Sequence, residues 1–314
     1  MRLCEKQVVK PGPIREILEY AAAWSALKSL GLLPRRTALG LGKLAGLAAY
    51  RLAGGLKRSG RRNLEIAFPE MPSAERERIL RAAFLNAGRQ LGEFSQMPKL
   101  RTAEDAHRTI RFEGREIAMT ALAAGNGALF LTGHFGAWEL SPYCLRLTGS
   151  PPVNFLVRRI DNPRVEALAD RYRTLCGNRT IDKSRAARPM LAALARGEMV
   201  GILADLNTLE HEGVFVNFFG VPASTTAGLA VIALKTGAPV IPVHTRWDET
   251  EGRYVQTFEP ELELIRTGSR DEDVLSNTQA FTAIIERWIR EDPDQWIWVH
   301  RRWKTRPPGQ PGIY

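Results

Sequence analysis

From about residue 105 the chain alternates short apolar runs with helical segments, and nothing else constrains the fold as tightly. Ala128–Thr132 is an apolar run of strand length. A helix is expected after it, from about Ala137 to Leu147. Val153–Arg158 reads as the next strand and 163–176 as its helix. The pattern then continues with a helix over Ala186–Arg196 and a strand over Met199–Ala204. A helix over 224–236, capped by Ser224 or Thr225, leads to a strand over Pro239–Thr245. One or two strands follow over Tyr254–Leu264, then a helix over 271–291, opened by Asp271 and closed before Pro293. Strands that alternate with helices predict an α/β fold. Its centre is a mixed, largely parallel sheet flanked by helices.

The first hundred residues read differently. Ile17, Tyr20, Trp24 and Leu27 follow helical spacing in a helix over 14–33 that Pro34 stops. A second helix over 36–57 carries Leu41, Leu44, Ala48 and Leu52 on one side. A third over 74–92, capped by Ser73, carries Ile79, Leu80, Ala83, Phe84 and Leu91. The chain holds 44 basic and 34 acidic side chains, and residues 1–62 account for the whole excess with 13 and 3. A basic end seeks a polyanion. Here the basic residues are interleaved with Trp24 and many leucines, which suits an anionic membrane surface better than nucleic acid. The alternative is a set of helices packed on the body with solvated lysines and arginines.

Every apolar run near the N-terminus is broken by a charge, so no secretory signal is read. The uncharged windows Ile117–Trp138 and Gly213–Leu234 contain breakers such as Gly125, Gly127, Gly220 and Pro222. They fit buried segments rather than spans. Three domains are expected: a basic amphipathic helical membrane-associating segment over 1–62, an α/β domain over 63–306 and a flexible tail over 307–314. Cys4, Cys144 and Cys176 form no CxxC pair, which argues against a disulfide framework or a zinc ribbon.

The chemistry points to the end of the first long strand, where His134 follows Gly133 and precedes Phe135 and Gly136. Loops at strand C-termini are where open α/β sheets hold ligands, and two glycines allow close backbone approach. Glu139 lies five residues on, which is about 140° of rotation on a regular helix. The two side chains meet only if the chain turns near Gly136. In that geometry Glu139 would orient the His134 ring and leave the other ring nitrogen as a general base. A capping histidine and an exposed helix glutamate would give the same spacing.

The segment His134–Glu139 resembles the HxxxxD/E signature of the glycerolipid acyltransferase superfamily, in the form found in bacterial lipid A biosynthesis acyltransferases. Further blocks are similar: Arg61–Leu64 with Ala67–Glu70, Arg158 before Asp161–Pro163, Gly197–Asp205, Val214–Thr225, Lys235–Val240 and Trp298–Lys304. Together they cover about residues 60–306. The family usually shows Asp-Gln where this chain has Asp205-Leu206, and often Pro or Asp where Asn217 stands. Leu206 forfeits any hydrogen bond that the glutamine makes.

The resemblance implies transfer of a fatty acyl chain from a thioester donor to a hydroxyl of a glycolipid, without metal or cofactor. In the lipid A branch the donor is acyl carrier protein. A related branch acylates phosphatidylinositol mannosides from acyl-CoA. A non-catalytic lipid-binding homologue is the other alternative. The implied partners are the donor, the glycolipid and an anionic membrane, with no nucleic acid, and a monomer is expected. The implied location is the cytoplasmic face of the inner membrane. The implied base is His134 with Glu139 as its orienter, and the N–H groups near Phe135 and Gly136, or Arg158, are candidates for the oxyanion.

Several residues carry two readings. Arg158 would bind an acceptor phosphate or carboxylate, or pair with Asp161 or Asp205. Asp205, at another strand end, would line the same crevice or serve as a cap or ion pair. Phe215, Phe218 and Phe219 would line an acyl channel or fill a core. Thr225 and Thr226 would bind phosphate at a helix N-terminus or simply cap it. His300, with Arg301, Arg302 and Lys304 beside Trp296, Trp298 and Trp303, would face headgroups or an acidic carrier, or else the tryptophans pack a final strand.

Overall fold

The computed structural model describes residues 12–314. Cys4 and the first basic side chains therefore lie outside the described residues. The N-terminal layer consists of α1 (Pro13–Leu32), α2 (Arg35–Leu52), α3 (Gly54–Ala67) and α4 (Ser73–Gln96). Pro34 ends α1 as expected. The helix expected over 36–57 is instead two helices, broken at Ala53, where ψ is 68°. Two glycines at 54 and 55 favour the break. α3 then docks through Asn63, whose amide donates to the carbonyls of Trp298 and His300 at 2.6 and 2.5 Å.

The body continues with α5 (Ala103–Thr109), β1 (Ile110–Glu113), α6 (Arg115–Ala123), β2 (Ala128–Thr132), α7 (Leu140–Leu147) and β3 (Val153–Val157). Next come α8 (Pro163–Thr174), β4 (Arg179–Asp182), α9 (Ala187–Ala195) and β5 (Met199–Leu203). The chain ends through β6 (Gly213–Phe218), β7 (Val221–Thr226), α10 (Gly228–Thr236), β8 (Val240–Asp248), β9 (Arg253–Phe258) and α11 (Arg270–Glu291). Seven strands form one sheet in the order β1-β9-β8-β2-β5-β3-β4. All neighbours are parallel except β8 and β9, so the mixed, largely parallel sheet is as expected.

β2 and β5 are adjacent and in register, with Thr132 opposite Leu203. The residues two beyond each strand end, His134 and Asp205, are therefore brought together. Side chains alternate across a strand, so the sheet feeds two cores. Leu129, Leu131, Val200 and Ile202 join the larger core, with Trp288, Trp296, Trp298 and Trp303. Phe130, Phe155 and Met199 join Ala118 and Leu145 of α6 and α7 on the other face. A third cluster under α1 holds Leu27, Ala106, Cys144 and Leu168.

The helix expected from residue 224 starts later, because Ser224–Thr226 complete β7. Phe219 and Gly220, with φ of 53° and 77°, form a two-residue turn that pairs β6 with β7. Such a turn with positive φ at both positions matches strand twist, so the hairpin captures residues otherwise suited to a cap. Residues 307–314, expected to be a flexible tail, fold back on the body. The Trp303 N–H donates to the Tyr314 hydroxyl at 3.2 Å, and that hydroxyl donates to Asn63. Position 62, the expected domain boundary, lies inside α3. No helix of the described residues is long and apolar enough to cross a membrane.

Candidate active site

The segment Gly133–Glu139 runs from the end of β2 to the start of α7. The Asp205 carboxylate accepts the His134 backbone N–H at 2.7 Å on one oxygen, and its other oxygen lies 2.9 Å from His134 Nδ1. The indole N–H of Trp296 donates to Asp205 at 2.8 Å. Asp205 is buried, at 1% exposure. Burial works to raise its pKa. The charge of His134 and the hydrogen bonds from His134 and Trp296 outweigh that and hold it below the ordinary carboxylate value. A carboxylate at Nδ1 selects the Nδ1–H tautomer, leaving Nε2 free to accept a proton.

Of the two flanking glycines, Gly133 sits in tight contact and Gly136 is sterically required. A Cβ at Gly133 would stand 3.2 Å from the Asp205 carboxylate. Gly136 has φ of 52°, and a Cβ there would fall 1.4 Å from the Thr245 carbonyl oxygen.

The partner of His134 is thus Asp205 and not Glu139. The chain does turn at Gly136, yet the Glu139 carboxylate is taken by Arg173 of α8, through Nε at 2.9 Å and Nη2 at 2.5 Å. Both side chains are largely buried in the wall of the same cavity. A bidentate guanidinium satisfies both oxygens, which removes any drive to reach the imidazole. The N–H groups expected to serve the oxyanion are also occupied. Phe135 N–H donates to Gly133 at 2.8 Å and Gly136 N–H to Gln295 at 2.9 Å. Phe135 itself is buried at 2%.

His134 opens onto a cavity of about 330 Å³. One end is polar, with Arg158, Lys183, Asn207 and His300. The other runs between the sheet and α7 past Phe130, Leu145, Val153, Phe155 and Gly201. Trp138 stands beside His134, with ring centroids 5.2 Å apart. Arg158 is at the rim, 82% exposed and 3.8 Å from Asp161. Leu206 lines the cavity in the position next to Asp205.

Other expectations move into the core. Phe218 and Phe219 do not border the cavity. They pack on Trp296, Trp298 and Trp303, at 1% and 5% exposure. Thr225 is no helix cap, because it lies within β7 and its hydroxyl accepts from the buried Arg302. Arg302, expected on a basic surface, also donates to the Ser224 carbonyl at 2.7 Å, so it ties the hairpin to the C-terminal segment. Burial pulls its pKa down to about 10.

Sequence reasoning missed the hydrogen bonds that join Asp205 to His134 and Trp296 and the placement of His300 in the cavity wall. His300 Nε2 accepts the Asn207 N–H at 3.2 Å. Burial lowers the His300 pKa to about 4, so the ring is neutral with its proton on Nδ1. That nitrogen makes no hydrogen bond to a described residue.

Residues 13–305 match the family of bacterial lipid A biosynthesis acyltransferases. The chain is 31% identical over 285 residues to the lipid A biosynthesis lauroyltransferase of Escherichia coli K12, covering 89% of this chain and 88% of that one. It is 28% identical to the lipid A biosynthesis palmitoleoyltransferase of the same strain, over 96% and 97% of the two chains. A phosphatidylinositol mannoside acyltransferase of Mycobacterium tuberculosis H37Rv is 27% identical over 90% of this chain and 87% of its own. With its near-complete family match and a histidine–carboxylate pair at the mouth of an apolar cavity, the chain belongs to the bacterial lipid A biosynthesis acyltransferase family and is an acyltransferase.

Proposed function

We propose that the protein transfers a fatty acyl chain from acyl carrier protein to a hydroxyl of a lipid A precursor or a similar glycolipid. The observation that carries the reading is the His134–Asp205 pair opening on a cavity with one polar and one apolar end. The apolar arm takes the acyl chain and places its thioester carbonyl beside His134. The acceptor hydroxyl gives its proton to His134 Nε2 as its oxygen attacks that carbonyl. Asp205 stabilises the imidazolium through Nδ1. The tetrahedral oxyanion is met by His300 Nδ1–H, with Arg158 at the rim. Collapse expels the carrier thiolate, which takes the proton back from His134. The Glu139–Arg173 pair positions the segment that carries His134.

The enzyme acts from a membrane surface. Ile14, Leu18, Leu32, Leu44 and Leu52 are all at least 60% exposed on α1 and α2, among basic side chains. Such helices lie in the interface and hold to anionic lipid, on the cytoplasmic face of the inner membrane, with affinity that falls with salt.

The test is an assay of purified protein with acyl carrier protein and CoA thioesters against a lipid A precursor and a phosphatidylinositol mannoside. Transfer to the lipid A precursor, with the carrier thioester preferred, is expected. Transfer only to the mannoside would reassign the acceptor, and no transfer to either would leave the lipid-binding homologue.

A further inference from the structure

A second cavity, of about 290 Å³, lies on the other side of Trp138 from the reaction cavity. Its walls include Ala49, Leu56, Ala87, Leu91 and Trp296, and Trp138 borders both spaces. The cavity follows from how α2 and α4 cross. At the crossing the backbones touch. A Cβ at Gly42 would fall 2.2 Å from the Gly88 carbonyl oxygen, and one at Gly46 equally close to that of Phe84. Beyond the crossing the helices present alanines, which leave the space between them and the C-terminal segment unfilled.

The lining is almost wholly apolar. The Asn86 amide is spent on Asp294, and Gln295 Oε1 accepts the Trp247 N–H. Gln90 Oε1 alone is buried there without a partner among the described residues. It offers an acceptor to a hydroxyl or amide N–H. Leu56 and Leu91 are 48% and 39% exposed, so the cavity opens on the same apolar, basic surface as α2.

We infer that this cavity holds an alkyl chain already attached to the acceptor lipid, while the reaction cavity holds the incoming acyl chain. The inference rests on the reading of the protein as a glycolipid acyltransferase. Such a reaction brings two chains to one histidine, and the structure offers two apolar-lined spaces that share Trp138. Trp138, with its ring centroid 5.2 Å from that of His134, is the partition between the two spaces. A lipid with its hydroxyl at His134 can lay its own chain across Trp138 into the second cavity. It reaches that point from the membrane over Leu56 and Leu91 without crossing water.

Two measurements test this. First, an alkyl glucoside with a terminal diazirine is photolysed with the full-length protein and the cross-links are mapped by mass spectrometry. Adducts within residues 83–91 and 295–299, depleted in Ala87→Trp and in Ala45→Trp, are expected. Adducts confined to the reaction cavity would overturn the inference. Second, filling the cavity to exclude about two methylenes raises the KM for a lipid acceptor about tenfold. Acceptor-free hydrolysis of the thioester donor and its KM stay as in the wild type. A changed donor KM with an unchanged acceptor KM, in either variant, would assign the space to the donor and overturn the inference. If the wild type acylates no lipid at all, the glycolipid acyltransferase reading fails, and the cross-link map still decides whether this cavity takes an alkyl chain.

Discussion

Two carboxylates stand near His134 and are held in opposite ways: Glu139 lines the reaction cavity, while Asp205, expected to line it, lies enclosed behind His134. Asp205 sits on a strand end. It is fully enclosed and accepts three hydrogen bonds, two from His134 and one from Trp296. Glu139 sits where α7 begins and, among the described residues, is bound only by a guanidinium from α8. The first position is set by the register of two parallel strands, which fixes it to the sheet. The second is set by an ion pair between the start of α7 and α8, two helices whose apolar residues join one cluster. A catalytic pair needs the first kind of support, because proton transfer demands a fixed angle and distance. The helix pair shapes and closes the cavity, and its contribution passes through the loop it anchors.

The comparison is broken most decisively at Asp205. Asp205→Asn keeps the shape but removes the charge that stabilises the imidazolium and selects its tautomer. A loss of roughly 10³-fold in kcat, with little change in donor KM, is expected, and His134→Ala should match it. The two changes combined should cost little more than either alone. If the double variant is worse by the product of the two losses, the residues do not act as one unit.

The same contrast explains which parts of the molecule were legible in the sequence. His134 announces itself through its flanking glycines, although the groups that crowd them, Asp205 and Thr245, come from distant parts of the chain. The long strands and most long helices follow from periodicity over a few residues. Asp205 is 71 residues away from His134, and only the order of β2 and β5 in the sheet joins them. One signal was present: both residues lie just past an apolar run of strand length. The sequence distance of five between His134 and Glu139 competed with that signal and prevailed, because it looks local. Phe218, Phe219 and Thr225 were misplaced for a related reason. The hairpin turn at Phe219-Gly220 and the buried guanidinium of Arg302 are tertiary devices with weak local marks.

A second change sharpens the role of Glu139. Glu139→Gln leaves Arg173 largely buried with its charge unmatched, which costs about 3 kcal/mol of stability. Activity should fall between about tenfold and 10²-fold as the segment after His134 loosens. Arg173→Gln in the same chain should restore part of both, since two neutral amides can pair. Stability from denaturant curves and kcat would be followed together. A Glu139→Gln protein of full stability but with activity as low as that of Asp205→Asn would move the carboxylate role back to Glu139.

Gly201 offers a smaller and more selective effect. It sits in β5 against the apolar arm, and a Cβ there meets only Phe155 and Val153, at 3.7 and 3.8 Å. A Cβ is therefore accommodated there, and Gly201→Val, whose further methyls have to enter the cavity, is expected to shorten it. Excluding about two methylenes should shift preference toward shorter donors by about tenfold in kcat/KM. A panel of saturated thioesters measures this directly. An unchanged chain-length profile would place the acyl chain elsewhere and undo the division between the two cavities.

The smallest effect separates stability from chemistry. Burial lowers the pKa of both His244 and His300 to about 4, against an ordinary 6.5. His244 lies between the rings of Phe135 and Trp288, with Glu259 at 3.7 Å. Between those two pH values the unfolded chain holds more protons than the folded one, so stability rises with pH across the window. It is fully present above about pH 6.5 and is lost as pH falls toward 4, by at most about 3 kcal/mol for each histidine. Asp205 is held below its ordinary value and adds to the rise, while Glu93 and Asp292, whose pKa values burial raises, oppose it. His244→Gln should reduce the slope while leaving the reaction cavity untouched, because residue 244 does not border it. Urea midpoints between pH 4 and 7 measure this directly. If the slope survives His244→Gln undiminished, the buried ring is not what resists the proton, and the dependence comes from His300 and from hydrogen-bonded carboxylates such as Glu198.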